Sequence, residues 1–450
     1  MLERAIEAYH ALLNDERAQE TQHQLDARLR QRGLYFGERP LMSVLRPRFL
    51  TPQQYRFLQD RVAILLRAFD KTYRAALADA GMRRQFGLTG WEEELVADDP
   101  GVREPSPLSR LDGFFVHARG GFKITEYNAE TPAGAAYNDV LSEVVLGLRV
   151  LRDFLRGFEL RPLLTRHNVL HALLDAHAQF SGRLNHTPRI AILDWPEVPT
   201  RHEFLLSADY FAAHGIECII DDPQNAEYSN GRLLVGGAPV DLIYKRVLIA
   251  ELVERCGMDH AVVRAVRERA VCMVNPFRCK ILHKKLSLAV LSDARNHWLF
   301  DPVEIDCINA HVPWTRRVAE MHTTFHDDVV DLMPFLEQNR ERFVLKPNDE
   351  YGGKGIVLGW LVSADEWRDA LAAALREPFI VQERIELPVE QYPVLSNGSV
   401  RIEDRIEDAA PFCFYGSYVD GVMSRLSTES LVNVTAGGGS SVPTFVVTTR

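Results

Sequence analysis

Lys346 closes the apolar run Phe343-Val-Leu-Lys346, and a glycine loop, NDEYGGKG, follows at once. A lysine at the end of a buried strand rarely stands without a partner. Gly352, Gly353 and Gly355 let backbone N–H groups approach a phosphate, and Lys346 and Lys354 add point charges. The loop is not a Walker A motif, because Gly355 follows Lys354 where Ser or Thr is required. It is not a dinucleotide fingerprint either, since Gly353, Gly355 and Gly359 have the wrong spacing and open a strand. By itself the stretch reads equally as a phosphate cradle or as a glycine hairpin beside a salt-bridged lysine.

A second stretch, Ala118-Arg-Gly-Gly-Phe-Lys-Ile-Thr-Glu-Tyr-Asn128, carries oxygen ligands. Alternation puts Ile124, Glu126 and Asn128 on one strand face and Lys123 on the other. Glu126 and Asn128 then lie roughly 7 Å apart. A three-residue turn, Arg119 to Gly121, sets Asp112 opposite Asn128 and completes a cluster of two carboxylates and an amide, a set that suits Mg²⁺. A two-residue turn sets Asp112 against Tyr127 and spoils the cluster. A solvated polar sheet face is the competing reading. Such acids should repel one another unless a cation is present.

Other candidates are weaker. His322 and His326 have helical i, i+4 spacing in what reads as a helix start, but no HExxH glutamate lies between them. Gly437-Gly-Gly-Ser-Ser441 is not a GxSxG elbow. The six cysteines form no CxxC pair and read as reduced, buried thiols.

These groups need elements to hold them. The first hundred residues read as helix, with Leu2, Ile6, Tyr9 and Leu13 on one face. Thr51-Pro52-Gln53-Gln54 is a capping box with proline at the first helical position, and Gly81 reads as the stop of that helix. Leu111–His117 and Phe122–Asn128 read as a hairpin, followed by one long helix through Val140, Val144, Leu148, Leu151 and Leu155. Residues 186–275 alternate strand and helix as a Rossmann-like layer that includes RLLV and VDLIYK. Ser363 and Glu366 form a second capping box, FIVQERI a further strand, and Asp420-Gly421 a hairpin turn. The expected division is a helical region at 1–100, a metal-site hairpin with helices at 101–185, the Rossmann-like layer at 186–275 and a nucleotide-binding region at 276–450.

Composition narrows the function. The chain has 450 residues and a net charge of −10, a poor match for general nucleic-acid binding. No apolar run is long enough to span a membrane. The N-terminus MLERAIEAYHALLNDERAQE is charged throughout and lacks a signal-peptide core, which points to the cytoplasm.

The segments SRLDGFFVHARGGFKITEYNAETPAG, NPFRCKILHKKLSLAVL, VPWTRRV, FVLKPNDEYGGKGIVLGW, FIVQERIELP and RLSTESLVNVTAGGGSSVP together resemble the circularly permuted ATP-grasp proteins. Glutathionylspermidine synthase belongs to that group. In ordinary ATP-grasp enzymes the lysine strand precedes the metal acids, whereas here the acids come first. The resemblance implies an α/β (α+β) ATP-grasp fold in permuted order and an ATP-dependent carboxylate–amine ligase acting through an acyl phosphate. Carried over by position, Asp112, Glu126 and Asn128 would hold Mg²⁺. Arg110, with Arg425 as a second cation, would face the reacting groups. Lys285 and Lys346 would contact ATP phosphates under a lid of Gly352, Gly353, Lys354 and Gly355, and Gln382 and Glu383 would sit at the adenine and ribose edge. Lys280 and Lys284 compete with Lys285 for the nucleotide role. The first hundred residues contain no cysteine, so no counterpart of the amidase half of bifunctional glutathionylspermidine enzymes is expected there, and the implied substrates are an amino-acid or peptide-like acid and an amine. The rival is an ATP-grasp core that binds nucleotide without turnover, as a regulatory or scaffold protein. A Rossmann oxidoreductase would need a strand-to-helix GxGxxG, which the sequence lacks.

Overall fold

The computed structural model describes residues 1–116, 121–184, 186–430 and 439–450. Residues 117–120, which hold Arg119 and Gly120 of the expected turn, and residues 431–438, which hold Gly437 and Gly438, lie outside the described residues. The architecture is mixed α/β, built around a nine-stranded sheet, a parallel four-stranded sheet and an antiparallel four-stranded sheet.

The long helix Pro52–Ala78 begins as its capping box dictates: Thr51 Oγ1 accepts from Gln54 N–H, and Gln54 Oε1 accepts from Thr51 N–H at 2.7 Å. It ends at the extended residue Asp79, which caps a further short helix, so Gly81 lies inside that helix rather than stopping the first. Its apolar stripe, Tyr55, Leu58, Val62, Leu65 and Phe69, is buried against the large sheet, where Phe69 packs on Tyr127 at 4.5 Å. Each such side chain contributes about 1.5–3 kcal/mol when fully buried. That packing fixes one face of the hairpin and leaves the other for chemistry.

The single helix expected after the hairpin is two, Ala135–Leu146 and Arg149–Phe154. They break at Gly147, where the Arg28 guanidinium fills the space a side chain would need.

The parallel sheet has strand order 272–274, 242–245, 190–193, 218–221, crossed by the helix Arg201–Ala213. Arg232–Val235 is not part of it and pairs instead in a separate three-stranded sheet. In the antiparallel sheet the order is 315–317, 379–383, 343–347, 357–358, so the Lys346 strand is interior.

Two further local expectations fail. Asp420-Gly421 is inside the strand Tyr418–Ser427, and the turn is at 415–417, with Phe414 paired to Tyr418. Asp420 is drawn into the fold by Tyr55 Oη and Asn168 Nδ2, partners far away in sequence. His322–Phe325 is a strand pairing with Asp328–Asp331, so His322 and His326 do not share a helix face. All six cysteines are free thiols, but only Cys272, Cys279, Cys307 and Cys413 are buried; Cys218 and Cys256 are half-buried.

Candidate active site

The hairpin strands Leu108–Val116 and Gly121–Asn128 pair with a bulge. Gly113 pairs with Ile124, but Asp112 pairs with Glu126, so Thr125 is an extra residue. The sequence explains why. Ile124 and Tyr127 are three apart, yet both belong to the core beneath the Pro52–Ala78 helix. Regular alternation cannot bury both; one inserted residue can. Gly113 permits the close approach, because a Cβ there would lie 2.5 Å from the Lys123 carbonyl oxygen.

Neither expected turn forms: Val116 pairs with Gly121 and Phe115 with Phe122, so Gly121 belongs to the strand, and the bulge then shifts the pairing by one residue. Asp112 faces Glu126, and Asn128 faces Arg110. Asp112, Glu126 and Asn128 still share a face, but Ile124 points away from it. Lys123, paired with Phe114, joins their face instead of the opposite one.

The acids are not left to repel each other. Arg110 grips Asp112 with two hydrogen bonds, Nε to Oδ1 at 2.7 Å and Nη2 to Oδ2 at 2.9 Å. Arg425 adds a third at 2.7 Å and also binds Asp408. Burial works to raise the Asp112 pKa, but the two guanidiniums prevail and hold it at about 2. Burial likewise opposes the charge on Arg425, yet Asp408 and Asp112 keep it firmly protonated. Glu126 pairs with Lys285 at 2.7 Å. Burial and Asp112 work to raise its pKa, and Lys285 together with Lys346 more than reverses that.

Of the three lysines in the 280–285 segment, two are committed elsewhere. Lys280 and Lys284 are buried against Glu92 and Asp349, and Lys280 also meets Glu130. Glu130 in turn binds Lys245 and the Ile249 N–H. Only Lys285 reaches the acid face, while also donating to the Glu350 carbonyl. The buried network pins the root of the glycine loop through Asp349, and Tyr351 Oη reaches Glu251 at 3.1 Å.

Lys346 differs from all of these. It is buried and donates to Gln382 Oε1 at 2.8 Å and to the carbonyl of the bulged Thr125 at 3.1 Å. Among the described residues it forms no ion pair. Burial lowers its pKa to about 8, with Glu126 pulling upward and Lys285 downward. It is a cation held by neutral acceptors, a group suited to an incoming anion.

These side chains line a cleft of about 950 Å³ between the large sheet and the antiparallel sheet. One wall carries Asp112, Glu126, Asp408 and Arg425; the other carries Lys346, Gln382 and Glu383, with Lys285 also lining the space. Val344, Ile356, Leu358, Trp360 and Leu387 form an apolar slot, and Arg384 stacks on Trp360 at 4.4 Å. Gly352 and Gly353 form part of the edge, both with positive φ. Gln382 is committed at both ends, to Lys346 and, at 3.1 Å, to Thr315 Oγ1, so it positions the lysine.

Arg110, Asn128, Lys354 and Gly355 stand outside the cleft lining. Arg110 acts through Asp112, and Lys354 is exposed beside Glu350. Gly355 packs against Pro347. The Nδ2 of Asn128 is buried with no hydrogen-bond partner among the described residues, which leaves that amide available to a ligand. Asp408 and Thr125 were missed by sequence reasoning. Asp408 meets Arg425 only through strand pairing, and the one clue to Thr125 is the odd spacing of Ile124 and Tyr127.

No family model matches the chain. A protein of Frankia alni named "Putative glutamate--cysteine ligase 2-3" is 24% identical to it, over 90% of this chain and 47% of the relative. The chain thus spans about half the length of that relative. The solved structure of a glutathione synthetase-like effector from Globodera pallida, in its apo form, superposes with a TM-score of 0.61 at 15% identity, covering 95% of this chain and 96% of that one. The two share a fold. Among the described residues, no helix is long and apolar enough to cross a membrane.

Proposed function

We propose that this chain is an ATP-dependent carboxylate–amine ligase with an ATP-grasp core in circularly permuted order, using Mg²⁺ and an acyl phosphate of an amino-acid or peptide-like acid. The observation that carries it is Lys346, a buried cation without a carboxylate partner among the described residues, facing Asp112 and Glu126 across the cleft. The names of the relatives, one a glutamate–cysteine ligase and one glutathione synthetase-like, are consistent with C–N bond formation.

The donor set fits Mg-ATP. Asp112 and Glu126 supply hard oxygen donors in the cleft, with Asn128 on the same strand face just beyond its lining; Lys346 and Lys285 supply phosphate cations, and the apolar slot has the chemistry for a purine. When bound, Mg-ATP supplies the phosphoryl group that activates the acid toward an amine. The protein's own part is positioning and charge. Gln382 and the Thr125 carbonyl hold Lys346, Arg110 orients Asp112, and Arg425 presents a cation toward the reacting oxygens. Lys285 rather than Lys280 or Lys284 takes the nucleotide role, because the other two are consumed by buried acids. Glu383 lies at the slot's rim, and the Gly352–Gly355 segment covers the phosphates.

Hydroxylamine tests the activation step. With Mg-ATP and a panel of amino acids and short peptides, one acid should yield a hydroxamate. Tight ATP binding with no hydroxamate from any acid would favour a second reading, a nucleotide-binding regulator without turnover. One observation favours that rival: Asp112 and Glu126 are already neutralised by Arg110, Arg425 and Lys285.

A further inference from the structure

A second cleft, of about 690 Å³, opens beside the short helix Leu286–Ser292, whose N-cap is Lys285. Arg84, Arg295, Arg316 and Arg317 line it, against one lining carboxylate, Asp293. That carboxylate is already taken, since Arg295 contacts both its oxygens, at 3.1 and 2.6 Å. Arg316 is 5% exposed and stacks on Trp314 at 4.9 Å. Its hydrogen-bond acceptors are all neutral: Thr323 Oγ1, the Ser292 hydroxyl and carbonyl, and the carbonyls of Thr315 and Thr324. Burial pushes its pKa down, and Asp293 only partly offsets that. Arg84 and Arg317 are exposed and form no ion pair among the described residues.

Four guanidiniums against one occupied carboxylate leave a surplus of positive charge in a single concavity. Such a surplus is self-repelling when empty and attracts anions. Guanidinium forks match phosphate oxygens in pairs. The remaining lining, Leu286, Ala289, Val290 and Met321, is apolar, which suits the carbon skeleton of an organic phosphate better than a bare ion. We infer that this cleft is a binding site for a small phosphorylated molecule, separate from the Lys346 cleft. It stands whether or not the ligase reading holds. Its occupant would rest on the same helix that carries Lys285 at its start.

Thermal melting of the full chain tests it, with inorganic phosphate and glucose 6-phosphate as probes and potassium chloride at matched ionic strength as control. Both phosphates should raise the melting temperature by mass action, the ester at lower concentration. The double substitution Arg84→Ala, Arg317→Ala removes two exposed side chains and should raise the half-saturating concentration about tenfold or more. Lys346→Ala should leave it within about twofold, since Lys346 lines the first cleft and not this one. Four results would overturn the inference: no shift with either phosphate, an equal shift with chloride, an equal shift with citrate, or a shift that survives the arginine substitutions and vanishes with Lys346→Ala. Of these, the citrate result would assign the cleft to carboxylates, and the last would move the phosphate to the first cleft.

Discussion

Asp112 and Glu126 face each other across the hairpin while Ile124 and Tyr127, three residues apart, are both buried behind them. Thr125 makes the two demands compatible, and its displaced carbonyl accepts a hydrogen bond from Lys346. One inserted residue therefore links the acid wall of the cleft to the lysine wall.

The Lys285 partnership makes Glu126 structural as well as chemical. Glu126→Ala leaves Lys285, 4% exposed at its side chain, without its carboxylate. Denaturant unfolding should show a loss of about 1–3 kcal/mol, with Glu126→Gln milder. ADP formation should fall far more than ATP affinity for Glu126→Ala and for Asn128→Ala. Wild-type stability and turnover in Glu126→Ala would reduce the strand to a solvated hairpin.

Lys346 should give opposite pH signatures in stability and in binding. Its folded pKa, about 8, lies below the ordinary 10.5, so the unfolded chain holds more protons between those values. Its contribution to stability therefore rises with pH across that window. Nucleotide affinity should weaken over the same window as the charge is lost. Calorimetry at pH 8.5 should find proton uptake on ATP binding, abolished by Lys346→Arg. Proton release there would contradict the assignment of Lys346 to the anion.

The adjacent lysines should separate cleanly. Lys284→Ala removes one of the two lysines that hold Glu92 and Asp349, leaving Lys280 alone with both, and should destabilise the fold by about 1–3 kcal/mol. Lys285→Ala should chiefly raise the ATP dissociation constant. Matching effects on stability and ATP affinity in the two variants would undo the division of roles.

How much of this was readable in advance follows the range of the forces involved. The Thr51 and Ser363 capping boxes, the interior Lys346 strand and the strands at 190–193, 218–221 and 242–245 are encoded by neighbours in sequence and form as expected, whereas RLLV forms a strand but pairs outside the parallel layer. The bulge is different: it answers to a helix forty or more residues upstream, and so the parity of Ile124 and Lys123 is not legible from the strand alone. The Asp420-Gly421 turn failed for the same reason, its aspartate being claimed by Tyr55 and Asn168. Charge pairing was the least legible. Nothing local in the sequence says that Arg425 will meet Asp112, or that Lys280 and Lys284 will be spent on Glu92 and Asp349.

The glycine loop is anchored at Asp349 and Tyr351, whereas residues 351 to 355 are largely exposed. Segments with few apolar anchors open readily. Hydrogen exchange at 350–356 should slow markedly with Mg-ATP, while the buried Lys280 segment stays unchanged. Equal exchange in both states would make the loop a rigid hairpin.

The most direct measurement is ADP release by the purified chain with Mg-ATP across pairs of acids and amines. The ligase account predicts release that needs both an acid and an amine, and that is lost in Lys346→Ala and Glu126→Ala. Release with neither co-substrate, or none with any pair despite saturating ATP binding, would contradict it.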